Sequence, residues 1–129
     1  MSQRIYLCDR VKRVNMSNVK SINGEVVSYY NQTKPLTALE DISKATFTEE
    51  SQQSDPGLLA IQKLELYGNI ELDLFTEMIE QPQLFELTFS DGTTRLWGDK
   101  NRPVMAGNQK REKNATQVTF QRYNPGFEF

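Results

Sequence analysis

Carboxylates are the side chains whose spacing comes nearest to chemistry in this sequence. Glu49-Glu50, Asp73 with Glu77, and Glu77 with Glu80 are pairs of a kind that can hold a hard cation or share acid–base work. The last two pairs fall at helical spacing on the polar side of an apolar stripe, where acids are ordinarily solvated, and no calcium-loop spacing accompanies them. Histidine does not occur, which removes the usual base near neutral pH, Ser–His and Cys–His nucleophile systems, and most transition-metal sites. Cys8 is the single cysteine, so no intrachain disulfide or cysteine-based zinc site can form. Among Ile5, Tyr6 and Leu7 it reads as a small, packed strand residue rather than a reactive thiol. The glycines stand singly at turns, without the clustering of a phosphate-binding loop. The sequence predicts no enzyme, no metal site and no cofactor.

The elements that carry these residues are mainly strands. Arg4 to Cys8 has strand character, Asn23-Gly24 marks a turn, and Val26, Val27, Tyr29 and Tyr30 favour a second extended run. Ile42 to Glu49 reads as a half-exposed strand. The polar stretch 50–57, ending in Asp55-Pro56-Gly57, reads as a mobile loop. From Leu58 to Tyr67, Ala60, Gln62, Leu64 and Leu66 share one face, and Ile61, Lys63, Glu65 and Tyr67 the other. The period then changes to about 3.6, with Leu72, Phe75, Met78 and Ile79 on one side. That predicts a short amphipathic helix near 70–81, with Asn69 as N-cap and Pro82 closing it. Phe85, Leu87 and Phe89 alternate before Asp91-Gly92, and Thr94 to Trp97 follows, the pattern of a tight β-hairpin. Residues 99–113 read as a polar, mobile loop with part of an edge strand, and Ala115 to Tyr123 as the last strand. Trp97 has two readings, a core residue or an interface and ligand-stacking residue.

Seven or eight mainly antiparallel strands and one helix predict a mostly-β fold, a β-sandwich or partly open barrel with the helix packed on one side. At 129 residues, one domain over 1–129 is expected. No run of about 18 apolar residues occurs, so no membrane span is predicted. The start, Met1-Ser2-Gln3-Arg4, leads into no apolar leader, which predicts synthesis in a cytosol.

Charge is unevenly placed. Residues 1–20 carry five basic residues against one acid, 100–129 six against two, and 21–99 four against fourteen. Basic ends around an acidic middle suit head-to-tail contact between copies, or are simply solvated. An overall acidic balance argues against nucleic-acid binding as the primary task. Candidate subunit-interface residues are Arg10, Lys12, Arg13, Lys110, Arg111 and Lys113, joined by Phe127 and Phe129 of a tail that cannot continue a sheet.

One layout spans residues 45–123: Phe47-Thr48-Glu49-Glu50, Leu64-Glu65-Leu66, the acidic helix from Glu71-Leu72 to Glu80, Phe85-Glu86-Leu87-Thr88, Asp91-Gly92, Leu96-Trp97-Gly98, Pro103-Val104 and Val118-Thr119-Phe120. This outline resembles small tail and head–tail neck proteins of tailed bacteriophages and prophages. The resemblance implies a virion component, made in the host cytoplasm, that forms homo-oligomeric rings or tube layers with other virion proteins. DNA would pass through such a ring without specific binding. Glu71, Asp73, Glu77 and Glu80 are candidate channel-facing acids, since a negative surface does not hold phosphates. A monomeric module that binds carbohydrate or a host protein is the alternative, with Tyr29, Tyr30, Trp97 and Tyr123 as its contact patch.

Overall fold

A computed structural model describes the backbone of residues 2–54, 57–102, 104–112 and 115–125, and the side chains of 4–50, 61–102, 104–112 and 115–122. Ten strands and one helix follow one another: β1 (Ser2–Asn15), β2 (Val19–Asn23), β3 (Val26–Tyr29), β4 (Thr37–Ala38), β5 (Ile42–Ser54), β6 (Gly57–Gly68), α1 (Leu72–Glu80), β7 (Gln83–Phe89), β8 (Thr94–Trp97), β9 (Met105–Glu112) and β10 (Ala115–Pro125). The fold is mostly β and sandwich-like, and every strand pairing described is antiparallel.

The main sheet runs β8-β7-β1-β5-β6-β10-β9, with β4 also on β1. β1 joins two layers because it changes partner along its length. Its residues 2–7 pair with β5, and from Cys8 to Asn15 it pairs with β7, with a bulge at Cys8/Arg10. A bulge bends a strand and raises its twist, which lets one strand serve both layers. On the far side, a bridge between Gln83 and Val104 ties β7 to the chain entering β9, through backbone bonds of 2.8 and 3.2 Å.

Between the layers lie Phe47, Leu64, Leu66, Val118 and Phe120 from one side and Phe85, Leu87 and Trp97 from the other, all fully buried. Phe47 meets Trp97 edge-on at 5.1 Å between ring centroids, and Phe85 meets Phe120 at 4.8 Å. Each such burial contributes about 1.5–3 kcal/mol, and aromatic edge contacts add about 0.5–1.5. The predicted phase of β6 holds for Gln62, Leu64 and Leu66, which all point inward. A smaller core of Val14, Met16, Val19 and Leu84 seats the β2–β3 hairpin.

Several local expectations are corrected. The stretch 50–57 is largely strand, because β5 runs to Ser54 and β6 starts at Gly57. β1 and β10 flank this hairpin as far as Ser51 and Leu59, so its backbone groups find partners despite polar side chains. Residues 105–112 are also strand, the sheet's edge strand β9. The helix takes Glu71, not Asn69, as its N-cap and makes no side-chain capping bond there. Phe75 and Met78 enter the core, whereas Leu72 is 56% exposed. The Asp91-Gly92 hairpin forms, its turn closed by the Gly92 N–H on Phe89 O and the Phe89 N–H on Thr93 O. Gly92 takes φ 89°, the left-handed position such a turn requires.

Candidate assembly interface

Among the described residues several strands pair on one side only, and the longest open edges belong to β9 and to the first half of β1. β9 pairs on one side only, with β10. The first half of β1 pairs with β5, and on its other edge receives just one bond, from the Ser90 N–H to Leu7 O. β9 carries the exposed Lys110, and a register break lies between Val118 and Phe120 opposite it. The first half of β1 carries a single charge, Arg4, and exposes Ile5 (63%) and Leu7 (56%) on its outer face.

The register also builds a polar rung above the aromatic core. Arg4, Glu49, Gln62 and Arg122 stand side by side on β1, β5, β6 and β10. They follow directly on the row of Tyr6, Phe47, Leu64 and Phe120. Gln62 Oε1 accepts from the Trp97 indole N–H at 2.9 Å, and Gln62 Nε2 donates to Glu49 at 3.4 Å. The Arg95 guanidinium pairs with Glu49 at 2.8 Å and lies 5.5 Å over the Phe47 ring. Arg122 pairs with Asp99 at 2.7 Å. Asp99 also accepts the backbone N–H groups of Asn101 and Arg102. Burial lowers the pKa of Arg122; Asp99 opposes this, and the nearby Arg102 and Arg95 lower it further. Its Nε is buried and finds no acceptor.

The residues singled out from sequence scatter. Arg13 and Glu77, assigned to an interface and to a channel wall, pair with each other at 2.9 Å. Arg13 also donates to Gln83 Oε1 and Asn15 Oδ1, and burial lowers its pKa against the opposing pull of Glu77. This pair ties α1 to β1, so neither side chain is free for the role expected of it. Arg111 likewise turns inward, donating to Ile70 O at 2.6 Å and to Thr116 while lying over Phe75. Lys12 pairs with Glu86 at 3.7 Å and Lys110 with Glu112 at 3.3 Å. Arg10 remains exposed. Glu71, the N-cap, and Asp73 and Glu80 of α1 are exposed. Lys113, Phe127 and Phe129 lie outside the described residues.

The aromatic patch does not form as a unit. Trp97 is wholly buried, Tyr29 is half-buried with its hydroxyl accepting the Leu36 N–H, Tyr30 is exposed, and the Tyr123 side chain lies outside the described set. Sequence reasoning missed Arg4, Gln62, Arg95 and Arg122 as a group. Only strand register brings together residues as far apart in sequence as 4 and 122. Cys8 is half-buried in β1, and burial, with a smaller push from Asp9, raises its thiol to about 11. No helix among the described residues is long and apolar enough to cross a membrane. Comparison of the chain with protein-family models, curated proteins and solved structures returned no match.

Proposed function

We propose that this protein is a non-enzymatic assembly component of a phage or prophage tail or head–tail neck, acting through contacts between copies in a ring or tube layer. The observation that carries the reading is the edge of β1 over residues 2–6, which meets no strand among the described residues, with Ile5 exposed beside it. An edge of that kind is a template for another strand and persists in monomers only when blunted. β9 supplies a second long edge at the opposite border of the same sheet, so one copy can offer two borders to two neighbours. The virion assignment rests on the layout resemblance of residues 45–123. In this reading the exposed acids Glu71, Asp73 and Glu80 face the DNA path, and Glu77 serves the fold through Arg13.

The monomeric binding module loses support with Trp97, the largest ring of its contact patch, enclosed in the core. Mass in solution over a concentration series, followed by electron microscopy of the largest species, tests the assembly reading. Closed rings or tubes are the expected result. A monomer at every concentration, alone and with the neighbouring virion proteins, overturns it.

A further inference from the structure

The strand register lays out a second face, which the core does not use. Residues alternating with Phe47 and Leu64 send their side chains to the other side of the sheet, in rows across β1, β5 and β6. One row holds Leu7, Thr46 and Glu65, and the next holds Ile5, Thr48 and Lys63. Beyond the first lie Lys44 and Tyr67, and beyond the second Glu50 and Ile61. Ile5 and Leu7 are exposed, and Ile61 and Tyr67 are half-buried. Lys44, Lys63 and Glu65 make no ion pair with a described residue, although Lys63 and Glu65 stand two residues apart on one face of β6. Glu65 accepts the Tyr67 hydroxyl at 2.9 Å, and Lys44 lies 5.8 Å over the Tyr67 ring.

The order of these residues is self-complementary. Across a line midway between the two central rows, Glu65 stands opposite Lys63, Leu7 opposite Ile5, Thr46 opposite Thr48, and Lys44 opposite Glu50. A second copy turned about a two-fold axis along that line sets its Lys63 over Glu65, its Ile5 over Leu7 and its Glu50 over Lys44. The reverse contacts repeat by symmetry. A two-fold axis along β6 would instead set Lys63 on Lys63 and Glu65 on Glu65, which like charges oppose. Sheets packed face to face lie about 10 Å apart, within the joint reach of a lysine and a glutamate.

We propose that the outer face of β1, β5 and β6 docks on the same face of a second copy, about a two-fold axis that crosses the strands between Lys63 and Glu65. Lys63 and Glu65 pair across the axis twice, and Ile5 and Leu7 add apolar area on its flank. The contact is made by side chains and leaves the main-chain edges of β1 and β9 open. It therefore stands apart from the edge contacts proposed above.

Sedimentation velocity of the full chain over a concentration series tests the contact, at about 0.05 M and about 0.5 M salt, since charge pairs weaken as screening rises. Lys63→Glu and Glu65→Lys each set like charges against each other across the axis, and circular dichroism verifies the fold. Each is expected to raise the dissociation constant about tenfold or more. Mixing the two single variants brings opposite charges together again, as does the double variant Lys63→Glu/Glu65→Lys, and both should recover most of the affinity. Leu7→Ser should weaken association at both salt concentrations. Charge reversals without effect, or a mixture and a swap that recover nothing, overturn this contact; rings that form regardless leave the edge contacts standing. A parent that stops at two copies, parted by the reversals, supports this contact and counts against the ring. A parent chain that stays monomeric under every condition removes both.

Discussion

Replacing Gln62 with Leu tests how the polar rung holds the two layers together. Gln62 is 4% exposed, Trp97 is fully buried, and their 2.9 Å bond joins β6 to β8 across the core. Without Gln62 Oε1 the indole N–H is stranded away from water, a penalty of about 1–3 kcal/mol. The contact from Gln62 to Glu49 at 3.4 Å is long, and its loss adds little. The apolar surface of Leu returns part of the cost, so the net destabilisation expected is about 1–2 kcal/mol. With a urea slope of about 2 kcal/mol/M, the midpoint falls by about 0.5–1 M. Trp97 is the chain's single tryptophan, so its emission reports the transition in the parent and in Gln62→Leu, and circular dichroism follows all the variants, including those without it. Trp97→Phe removes the donor along with part of the ring. In the double variant the two losses should therefore fall short of additivity by about 1 kcal/mol. A Gln62→Leu midpoint equal to that of the parent, or strictly additive losses, would refute the bond's role in joining the layers.

The Cys8 thiol, pushed up to about 11, should react with a maleimide near pH 8 about a hundredfold more slowly than in urea-unfolded chain. The folded state favours the protonated thiol, so this contribution to stability is complete below the ordinary thiol range and fades as pH rises through about 11. A labelling rate equal to that of the unfolded chain would contradict the burial described. Gly68→Ala should cost about 1–3 kcal/mol in urea unfolding. The added Cβ would sit 2.2 Å from Asp41 O and 2.8 Å from Ile42 Cα, both main-chain atoms. Gly107→Ala meets the movable end of Gln121 at 2.8 Å and Thr119 O at 3.3 Å and should cost less, so the reverse order would show that the backbone at Asp41 and Ile42 yields easily.

Local pattern in the sequence determined the class of fold and which residues of a strand share a face. Alternation in 62–66 and 85–89 puts Gln62, Leu64 and Leu66 on one face and Phe85 and Leu87 on one face, because a strand sends successive side chains to opposite sides wherever it pairs, and those faces point inward. The Asp91-Gly92 turn and the helix position were legible for a similar reason: both depend on residues within a few positions of each other. Polarity misled where pairing decides. Residues 50–54 and 105–112 look like loops, yet neighbouring strands supply hydrogen-bond partners that no local signal announces. Charge counting in the basic first twenty residues misled in the same way. Arg13 sits in that run, but the fold spends it on Glu77, Gln83 and Asn15. Only tertiary structure could separate Arg13 and Arg111, bound inward, from Arg4 and Arg10, left at the surface. Burial and the partner across a sheet depend on which strand lies alongside, and registers such as Arg4 beside Glu49 and Gln62 beside Arg122 are fixed by chain segments far apart in sequence.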